Sequence, residues 1–203
     1  MRDDWGHGLG RLVAWVAVTL DGYMEGPGGE GDLGWLMPHV PESLPENMAL
    51  LAHETDTILL GRNTYQGFSQ FWPTQTGAYA DLMNHIPKIV VAGAGNVEAA
   101  PWGEYPAAQV VDHEVDPAIR HLKTSDGSAI TVLASGGLVS SLLSSRLVDE
   151  IRMQVCPVIL GSGKRYLRDL RVPVHLTLVD TKPYPNGSIL LTYQPNNDAT
   201  DTR

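Results

Sequence analysis

The sequence has little cysteine and little positive charge, and it lacks any long apolar run. Its 203 residues include one cysteine, Cys156, which cannot form a disulfide within the chain, so a reducing cytoplasm is the expected compartment. Lys and Arg number 14 against 23 Asp and Glu, and the resulting net charge of −9 disfavours binding to nucleic acid or to anionic membranes. No run of about 18 apolar residues is present, so no membrane span is expected.

The seven histidines are scattered along the chain, and none of them are spaced as the ligands of a metal ion usually are. A metal site is therefore not expected. The hydrophobic share of 43% is that of an ordinary globular protein with a sizeable core. We interpret residues 1–10 as a flexible leader, residues 11–194 as a single domain and residues 195–203 as a flexible polar tail.

Apolar runs alternate with helical patterns along the chain. Strands are predicted at residues 11–19, 57–60, 88–92, 109–111, 129–134, 150–160, 174–181 and 188–193. Helices are predicted at 42–54, shortly after Thr64, and at 78–85, 116–124 and 138–146. Residues 20–41 carry six glycines and are predicted to form a long loop. This order predicts an α/β fold with a mostly parallel sheet, helices on both faces and an antiparallel C-terminal edge.

The segment ILLGRNTY (58–65) places a glycine, an arginine and a threonine directly after an apolar strand. Open α/β sheets bind ligands at the carboxyl ends of their strands. Gly61 allows a ligand close to the backbone, Arg62 can hold a phosphate through paired hydrogen bonds, and Thr64 can cap the next helix or bond the same phosphate. The alternative is a capped turn with a surface arginine.

A second joint, ITVLASGGLVSSLL (130–143), places Gly136 and Gly137 between a strand and a helix. Paired glycines before a helix expose N–H groups that suit a pyrophosphate. The alternative is a tight turn that needs positive φ. Together the two joints predict one dinucleotide lying across the sheet.

Five motifs in order resemble the RibD C-terminal domain family, the reductase part of the riboflavin-biosynthesis deaminase–reductase, which has the dihydrofolate reductase-like fold. They are VTLDGYMEG (18–26), DTILLGRNTY (56–65) with FWP (71–73), KIVVAG (88–93), ITVLASGGL (130–138) and LVDEIRMQVCPVILGSGKRYL (147–167). The resemblance covers about residues 11–194. It implies a three-layer α/β sandwich, NADPH binding, hydride transfer and a homodimer. The chain has no deaminase zinc motif, so it resembles a stand-alone member.

The resemblance also implies the residues that contact the nicotinamide end of the cofactor. The backbone near Val16 and Ala17 would line the nicotinamide. Leu20, Asp21 and Gly22 would form a loop that closes over it.

The resemblance also implies which residues hold the phosphates of the cofactor, and at one of these places the chain differs from its relatives. The adenosine-side phosphates would be held by Gly61, Arg62, Asn63 and Thr64, and the pyrophosphate by Gly136, Gly137, Leu138 and Val139. After the KIVVA strand, relatives often place Ser, Arg or Thr for the 2′-phosphate of NADPH, whereas this chain has Ala92 and Gly93, followed by Ala-Gly-Asn. NADPH remains the preferred cofactor, NADH is not excluded, and Arg62 would carry most of the selectivity.

For the substrate, GDLGWL (31–36) resembles the Asp-Leu-x-Trp segment of dihydrofolate reductases. Reduction of a C=N bond needs a proton on the nitrogen, so Asp32 is the candidate catalytic acid, the alternative being a turn cap. The candidate substrate contacts are Trp35, Tyr65, Phe71, Trp72 and Gln154.

We expect an NAD(P)H-dependent reductase of a pterin-like or pyrimidine-like heterocycle. The alternatives are a reductase of a ribosylated riboflavin precursor, with Lys164, Arg165 and Arg168 as cations, and a non-catalytic nucleotide or small-molecule binder.

Overall fold

The computed structural model of the chain describes residues 10–93, 99–125, 129–168, 170 and 172–196. The strands are β1 (Leu12–Thr19), β2 (Tyr23–Glu25), β3 (Thr57–Gly61), β4 (Lys88–Val91), β5 (Ala100–Trp102), β6 (Tyr105–Val111), β7 (Ile130–Leu133), β8 (Glu150–Cys156), β9 (Lys164–Arg165), β10 (Leu176–Pro183) and β11 (Ile189–Pro195). The α-helices are α1 (Val40–His53), α2 (Arg62–Phe71), α3 (Ala78–His85), α4 (Val115–Ser125) and α5 (Gly136–Ser144). The predicted leader lies outside the described residues except for Gly10, and so does the predicted tail from residue 197 onward.

The main sheet is parallel at its centre and antiparallel at both edges. Its order is β10-β11-β8-β1-β7-β3-β4-β6-β5, and the six strands from β8 to β6 run parallel. The β10–β11 hairpin joins β8 antiparallel at one edge, and β5 joins β6 antiparallel at the other. The predicted α/β class, with its mostly parallel sheet and antiparallel C-terminal edge, is confirmed.

Each face of the sheet carries its own apolar core. On one face, Ile119 of α4 and Leu142 of α5 are fully buried in the same cluster as the central strands. On the other face, Leu51 of α1 and Met83 of α3 pack with Ile58 of β3. Helices thus cover the sheet on both sides, which is the three-layer arrangement that the family resemblance implies.

The segment predicted as one long loop holds more regular structure than expected. Tyr23–Glu25 form β2, which pairs with β9, and a single 3-10 turn at Met37–His39 leads directly into α1. The strands β2, β5 and β9 were missed because each has three residues or fewer, too few for a period of two to be visible.

The strand predicted at 150–160 is shorter in the structure and ends at Cys156. Pro157 has no N–H group to continue the ladder, so the chain leaves the sheet there. The carbonyl of Val158 then accepts a hydrogen bond of 2.8 Å from the N–H of Leu20. The segment after β8 is therefore fastened beside the segment after β1.

Lys88, at the start of β4, is a buried cation with 5% of its surface exposed. Its ammonium group donates to the carbonyls of Asn84 (2.9 Å) and Ile86 (2.7 Å), and it lies 4.6 Å from the centre of the Trp102 ring. Among the described residues it has no carboxylate within ion-pair distance. Burial lowers the pKa of Lys88 from 10.5 to about 8.

We expect Lys88→Met to remove one part of the pH dependence of stability. The folded-state pKa of Lys88 lies below that of the unfolded chain, so the unfolded chain binds more protons between pH 8 and about 10.4, and wild-type stability rises with pH there. The variant lacks this rise. From pH 7.5 to pH 10 the free energy of unfolding of wild type should therefore increase by about 2 kcal/mol more than that of the variant. Urea denaturation at both pH values measures it, and a constant difference would show that Lys88 is not the titrating group.

Candidate functional site

The carboxyl ends of four parallel strands lie side by side along one edge of the sheet. In sheet order these strands are β1, β7, β3 and β4, and the registers place Gly61 of β3 opposite Val91 of β4. Four of the predicted cofactor segments follow these strands: 20–22, 136–139, 61–64 and 92–93. We call this row of strand ends the carboxyl edge. The structure therefore brings together segments that are far apart in sequence.

Two of the segments are joined by a direct contact. The N–H of Gly61 donates to the hydroxyl of Ser135 at 2.9 Å. Ser135 and Ala134 before it both have positive φ, 49° and 50°, which is uncommon for residues with a side chain. Ser135 was missed by sequence reasoning, although its place between a strand and a glycine pair was a signal.

The two glycines of the second joint have different roles. Both lie inside the first turn of α5, which begins at Gly136 and not at Leu138 as predicted. A Cβ on Gly136 would lie 1.9 Å from the carbonyl oxygen of Tyr166, so the packing of the chain excludes a side chain there. A Cβ on Gly137 would meet nothing within 4 Å, and Gly137 is exposed. Only Gly137 therefore faces open space, next to the free N–H groups of a helix start.

The first turn of α2 carries the other predicted phosphate residues. The helix begins at Arg62, so Thr64 lies within the first turn and does not cap it; the N-cap is Gly61. Arg62 is exposed and forms no ion pair with any carboxylate in the part of the chain that the structure describes. The side-chain amide of Asn63 donates to the carboxylate of Glu30. The glycine-rich loop therefore reaches the start of α2, where Glu30 bonds the residue that follows Arg62.

A cleft of about 300 Å³ continues the carboxyl edge beyond β4, at the end of β6. Its lining includes Asp112, His113 and Glu114. A hydrogen bond with His113 lowers the pKa of Asp112. These acidic groups were not predicted as site residues. Ala92 and Gly93 lie beside this cleft at the end of the neighbouring strand, while residues 94–98 are outside the described part of the chain.

Asp21 uses its carboxylate to join the segment after β1 to the segment after β8. It accepts hydrogen bonds from the hydroxyl of Thr19 (2.6 Å) and from the N–H groups of Gly161 (2.7 Å) and Leu160 (3.3 Å). The Thr19 bond is the main reason that the pKa of Asp21 is lowered. Leu20 beside it is 65% exposed at the carboxyl edge. In this arrangement Asp21 holds the loop in place and Leu20 is the exposed part.

Asp32, the candidate acid, closes its own loop. Its Oδ2 accepts the N–H of Gly28 at 2.9 Å. A Cβ on Gly26 would lie 2.3 Å from the same oxygen, so the carboxylate occupies the space that this glycine leaves. These contacts are those of the turn cap that sequence reasoning kept as the alternative role.

The three aromatic candidates on and after α2 pack against other parts of the chain. Tyr65 is buried, donates to the carbonyl of Pro101 at 2.7 Å and contacts Trp102, so its contacts are those of a core residue. Burial raises the pKa of Tyr65. Phe71 and Trp72 pack edge to face with ring centres 5.0 Å apart at the end of α2. At about 1.5 Å per residue, that end lies roughly 14 Å from Arg62.

Gln154 is the candidate substrate contact that lies beside the predicted nicotinamide strand. In the register of β8 with β1 it pairs with Ala17. It is 1% exposed, and its Nε2 has no hydrogen-bond partner among the described residues. A buried amide without a partner is costly, so this atom points to a missing ligand group or water. Trp35 Nε1 is also buried without a partner.

The remaining candidates for chemistry have ordinary roles. Cys156 is a free, buried thiol, and burial raises its pKa to about 11. No three His, Cys, Asp or Glu side chains among the described residues are grouped so as to hold a metal ion. In the same part of the chain, no helix has the length and apolar character needed to cross a bilayer.

Known proteins with this fold include several reductases. A protein from Shewanella sp. PV-4 with a provisional riboflavin-biosynthesis name matches with a TM-score of 0.71 and 21% identity, over 91% of this chain and 98% of its own. Dihydrofolate reductase from Enterococcus faecalis, solved with NADP(H), matches with a TM-score of 0.60 and 18% identity, over 94% and 99%. These identities establish likeness of fold only.

Sequence comparison gives the family. YyaP, an uncharacterised protein of Bacillus subtilis (strain 168), is 26% identical over 187 residues, 92% of this chain and 95% of its own length. The family model of the RibD C-terminal domain matches residues 11–190, which include the strand ends that form the carboxyl edge. The chain belongs to the RibD C-terminal domain family.

Proposed function

We propose that the chain is an NADPH-dependent reductase that transfers a hydride to a pterin-like or pyrimidine-like heterocycle. The observation that carries the proposal is the hydrogen bond between Gly61 and Ser135, because it holds the two phosphate-type joints next to each other. The Enterococcus faecalis enzyme of the same fold was solved with NADP(H), which also supports this cofactor.

The proposed pyrophosphate site is the start of α5. The N–H groups of Gly137 and Leu138 precede the first bond of the helix, which runs from the N–H of Val139 to the carbonyl of Ser135 at 3.0 Å. These N–H groups and the positive end of the helix favour an anion, and the open space at Gly137 leaves room for one. The donor set therefore fits a pyrophosphate.

The proposed nicotinamide site lies at the end of β1, where the backbone of Val16 and Ala17 lines it. Leu20, Asp21 and Gly22 form its outer wall, with Asp21 positioning the loop. When bound, the cofactor supplies the hydride, and the role of these residues is to orient the ring and to exclude water. The buried Gln154 is one strand away from Ala17.

The 2′-phosphate of NADPH has a less complete set of partners. Arg62 is exposed and unpaired with carboxylates among the described residues, so its guanidinium is available for a phosphate. Ala92 and Gly93 add no side-chain donor, Glu30 bonds the neighbouring Asn63, and Asp112 lines the cleft at the end of β6. We therefore propose that the preference for NADPH over NADH depends on Arg62.

For this reason Arg62→Ala should weaken NADPH binding by about tenfold while changing NADH binding little, since a charge-assisted hydrogen bond is worth about 1.5–3 kcal/mol. Isothermal titration calorimetry with both cofactors measures this. Arg120→Ala is the matched control, because Arg120 is an exposed arginine on α4 that bonds the carbonyl of Ser145. Equal loss for both cofactors would contradict the role of Arg62, and tighter binding of NADH by wild type would overturn the choice of NADPH.

The substrate distinguishes the first proposal from its alternatives. A ribosylated riboflavin precursor carries a phosphate and needs a cation, but Lys164 forms an ion pair with Glu25, and Arg165 donates to the carbonyl of Asp21 and stacks on Tyr23. These contacts engage two of the three candidate cations and so favour the pterin-like or pyrimidine-like substrate, while Arg168 is exposed and is the cation left for a phosphate. Asp32 stays the candidate for protonation of the substrate nitrogen.

Loss of NADPH absorbance tests these substrates directly. We expect turnover with dihydrofolate, and none above background with a ribosylated aminouracil precursor. Asp32→Asn should lower turnover at least tenfold, with NADPH affinity unchanged, if the carboxylate delivers the proton. Unchanged turnover would leave Asp32 only its turn-closing contact. Cofactor binding without turnover of either compound would favour a non-catalytic nucleotide-binding protein.

We also propose that the chain forms a cytoplasmic homodimer through β10. All eight residues of this edge strand are exposed, and Leu178 and Val179 are each about half exposed, on a strand with one free hydrogen-bonding edge. Light scattering should give twice the chain mass of 22.0 kDa for wild type and the chain mass for Val179→Lys. A wild-type mass equal to one chain would exclude the dimer.

A further inference from the structure

A small cavity lies between the end of β1, β8 and the segment that crosses them at β9. Its volume is about 180 Å³, and it is lined by Val18, Gly22, Met153, Arg165, Tyr166 and Leu167. We call this space the β9 cavity. Of its lining residues, only Gly22 belongs to the proposed cofactor site.

The strand register separates the β9 cavity from the proposed substrate contacts. Val18 and Leu142 of α5 are buried in the same apolar cluster, and Met153 packs against it. Gln154 follows Met153 on β8, so its side chain points to the opposite face of the sheet. Ala17, which precedes Val18, pairs with Gln154. The β9 cavity therefore lies on the α5 side of the sheet, across from Gln154.

Most of the cavity wall is apolar. Val18 is buried, and Met153 and Leu167 are half-buried. The Tyr166 side chain is buried beside them. A methionine side chain adapts its shape to what it contacts, which suits a ligand wall. At about 180 Å³ the cavity is smaller than the roughly 300 Å³ at which drug-sized sites begin, so it fits only a small molecule.

Arg165 adds a fixed positive charge to this wall. Its guanidinium lies 4.6 Å from the centre of the Tyr23 ring, donates to the carbonyl of Asp21 at 2.9 Å and donates to the Tyr23 hydroxyl at 3.2 Å. These contacts hold the exposed guanidinium in place and engage two of its five N–H groups. In the described part of the chain, no carboxylate lies within ion-pair distance of it.

An unpaired guanidinium beside a small apolar space is suited to an organic anion. Arginine binds carboxylates through paired, charge-assisted hydrogen bonds. The net charge of −9 makes the rest of the surface unfavourable to anions, so a carboxylate needs a local cation of this kind.

We infer that the β9 cavity binds a small carboxylate that carries an aromatic or branched apolar body. The carboxylate pairs with Arg165, and the body packs against Val18, Met153 and Leu167. This binding site goes beyond the proposed function, because it does not require that the chain bind a dinucleotide or a heterocycle.

The position of the cavity also connects it to the turn at residues 20–22. Gly22 lines the cavity, and a Cβ on it would lie 3.7 Å from Nη1 of Arg165. The Gly22 carbonyl accepts the N–H of Tyr166 at 3.1 Å. A ligand that contacts Arg165 and Gly22 restrains this turn, and NADPH then has less ordering to impose on it. This second step rests on the proposed function, in which the turn covers the nicotinamide, and it makes the ligand an activator of NADPH binding.

The competing explanation is that the cavity is a packing gap and that Arg165 only fastens the turn. It predicts that Arg165→Gln lowers the melting temperature and that no carboxylate binds at this place. Arg168→Gln is the matched control, because Arg168 is an exposed arginine three residues further on that does not line the cavity.

NMR spectra of the full chain, labelled at the methyl groups of its six methionines, provide the test. The probe is benzoate, and the Met153→Leu spectrum assigns the reporter signal. Benzoate should shift the Met153 signal saturably, with a dissociation constant in the millimolar range that a ligand this small can reach. Benzamide has the same body without the charge, and acetate has the charge without the body, so each should bind about tenfold more weakly or not at all.

The same titration is made on the two arginine variants. Arg165→Gln should weaken benzoate binding about tenfold, and Arg168→Gln should keep the wild-type affinity. No shift of the Met153 signal, equal binding of benzamide, or unchanged affinity in Arg165→Gln would overturn the binding site. Should Arg165→Gln fail to fold, the comparison of the three compounds on wild type decides.

Isothermal titration with NADPH, in the presence and absence of saturating benzoate, tests the second step. NADPH should bind about fivefold more tightly with benzoate present, and by reciprocity benzoate should bind more tightly with NADPH present. Benzoate binding with an unchanged NADPH affinity would overturn the link to the turn and leave the binding site. Benzoate binding to a chain that does not bind NADPH would contradict the proposed function alone.

Discussion

Parallel pairing of β1, β7, β3 and β4 is the constraint on which the candidate site depends. Parallel neighbours end at the same edge, so residues that follow four separate strands meet there whatever their distance in sequence. The hydrogen bond from Gly61 to Ser135 then fixes the spacing of the two joints. Positive φ at Ala134 and Ser135 is the local strain that this arrangement requires.

The antiparallel edge of the same sheet packs against α1. The β10–β11 hairpin extends the sheet past β8, and α1 packs on it through Glu42 and Glu46. Gln154 of β8, which pairs with Ala17, is buried on this side of the sheet, and its Nε2 has no partner among the described residues.

Sequence reasoning was successful where the signal is local. Most strands and helices could be predicted because apolar periodicity and glycine or proline punctuation mark them, as at Ala78–His85, whose bounds were predicted correctly. Gly61 and the Gly136–Gly137 pair stand out for the same reason. Very short strands such as β2 have no period to detect, and the early end of β8 depends on Pro157.

Tertiary contacts could not be predicted in this way. Nothing local indicates that Gly136 must be glycine because the carbonyl of Tyr166 lies against it, or that Asp32 reaches Gly28. The lack of a partner for Gln154 Nε2 among the described residues is likewise a property of the packed elements, since an unpaired atom is recognised only when all its neighbours are known.

A crystal structure of the chain with NADPH tests the central claim most directly. We expect the pyrophosphate within hydrogen-bond distance of the N–H groups of Gly137 and Leu138, with the nicotinamide beside Val16 and Ala17. NADPH bound away from the carboxyl edge, or with its pyrophosphate remote from the start of α5, would contradict it.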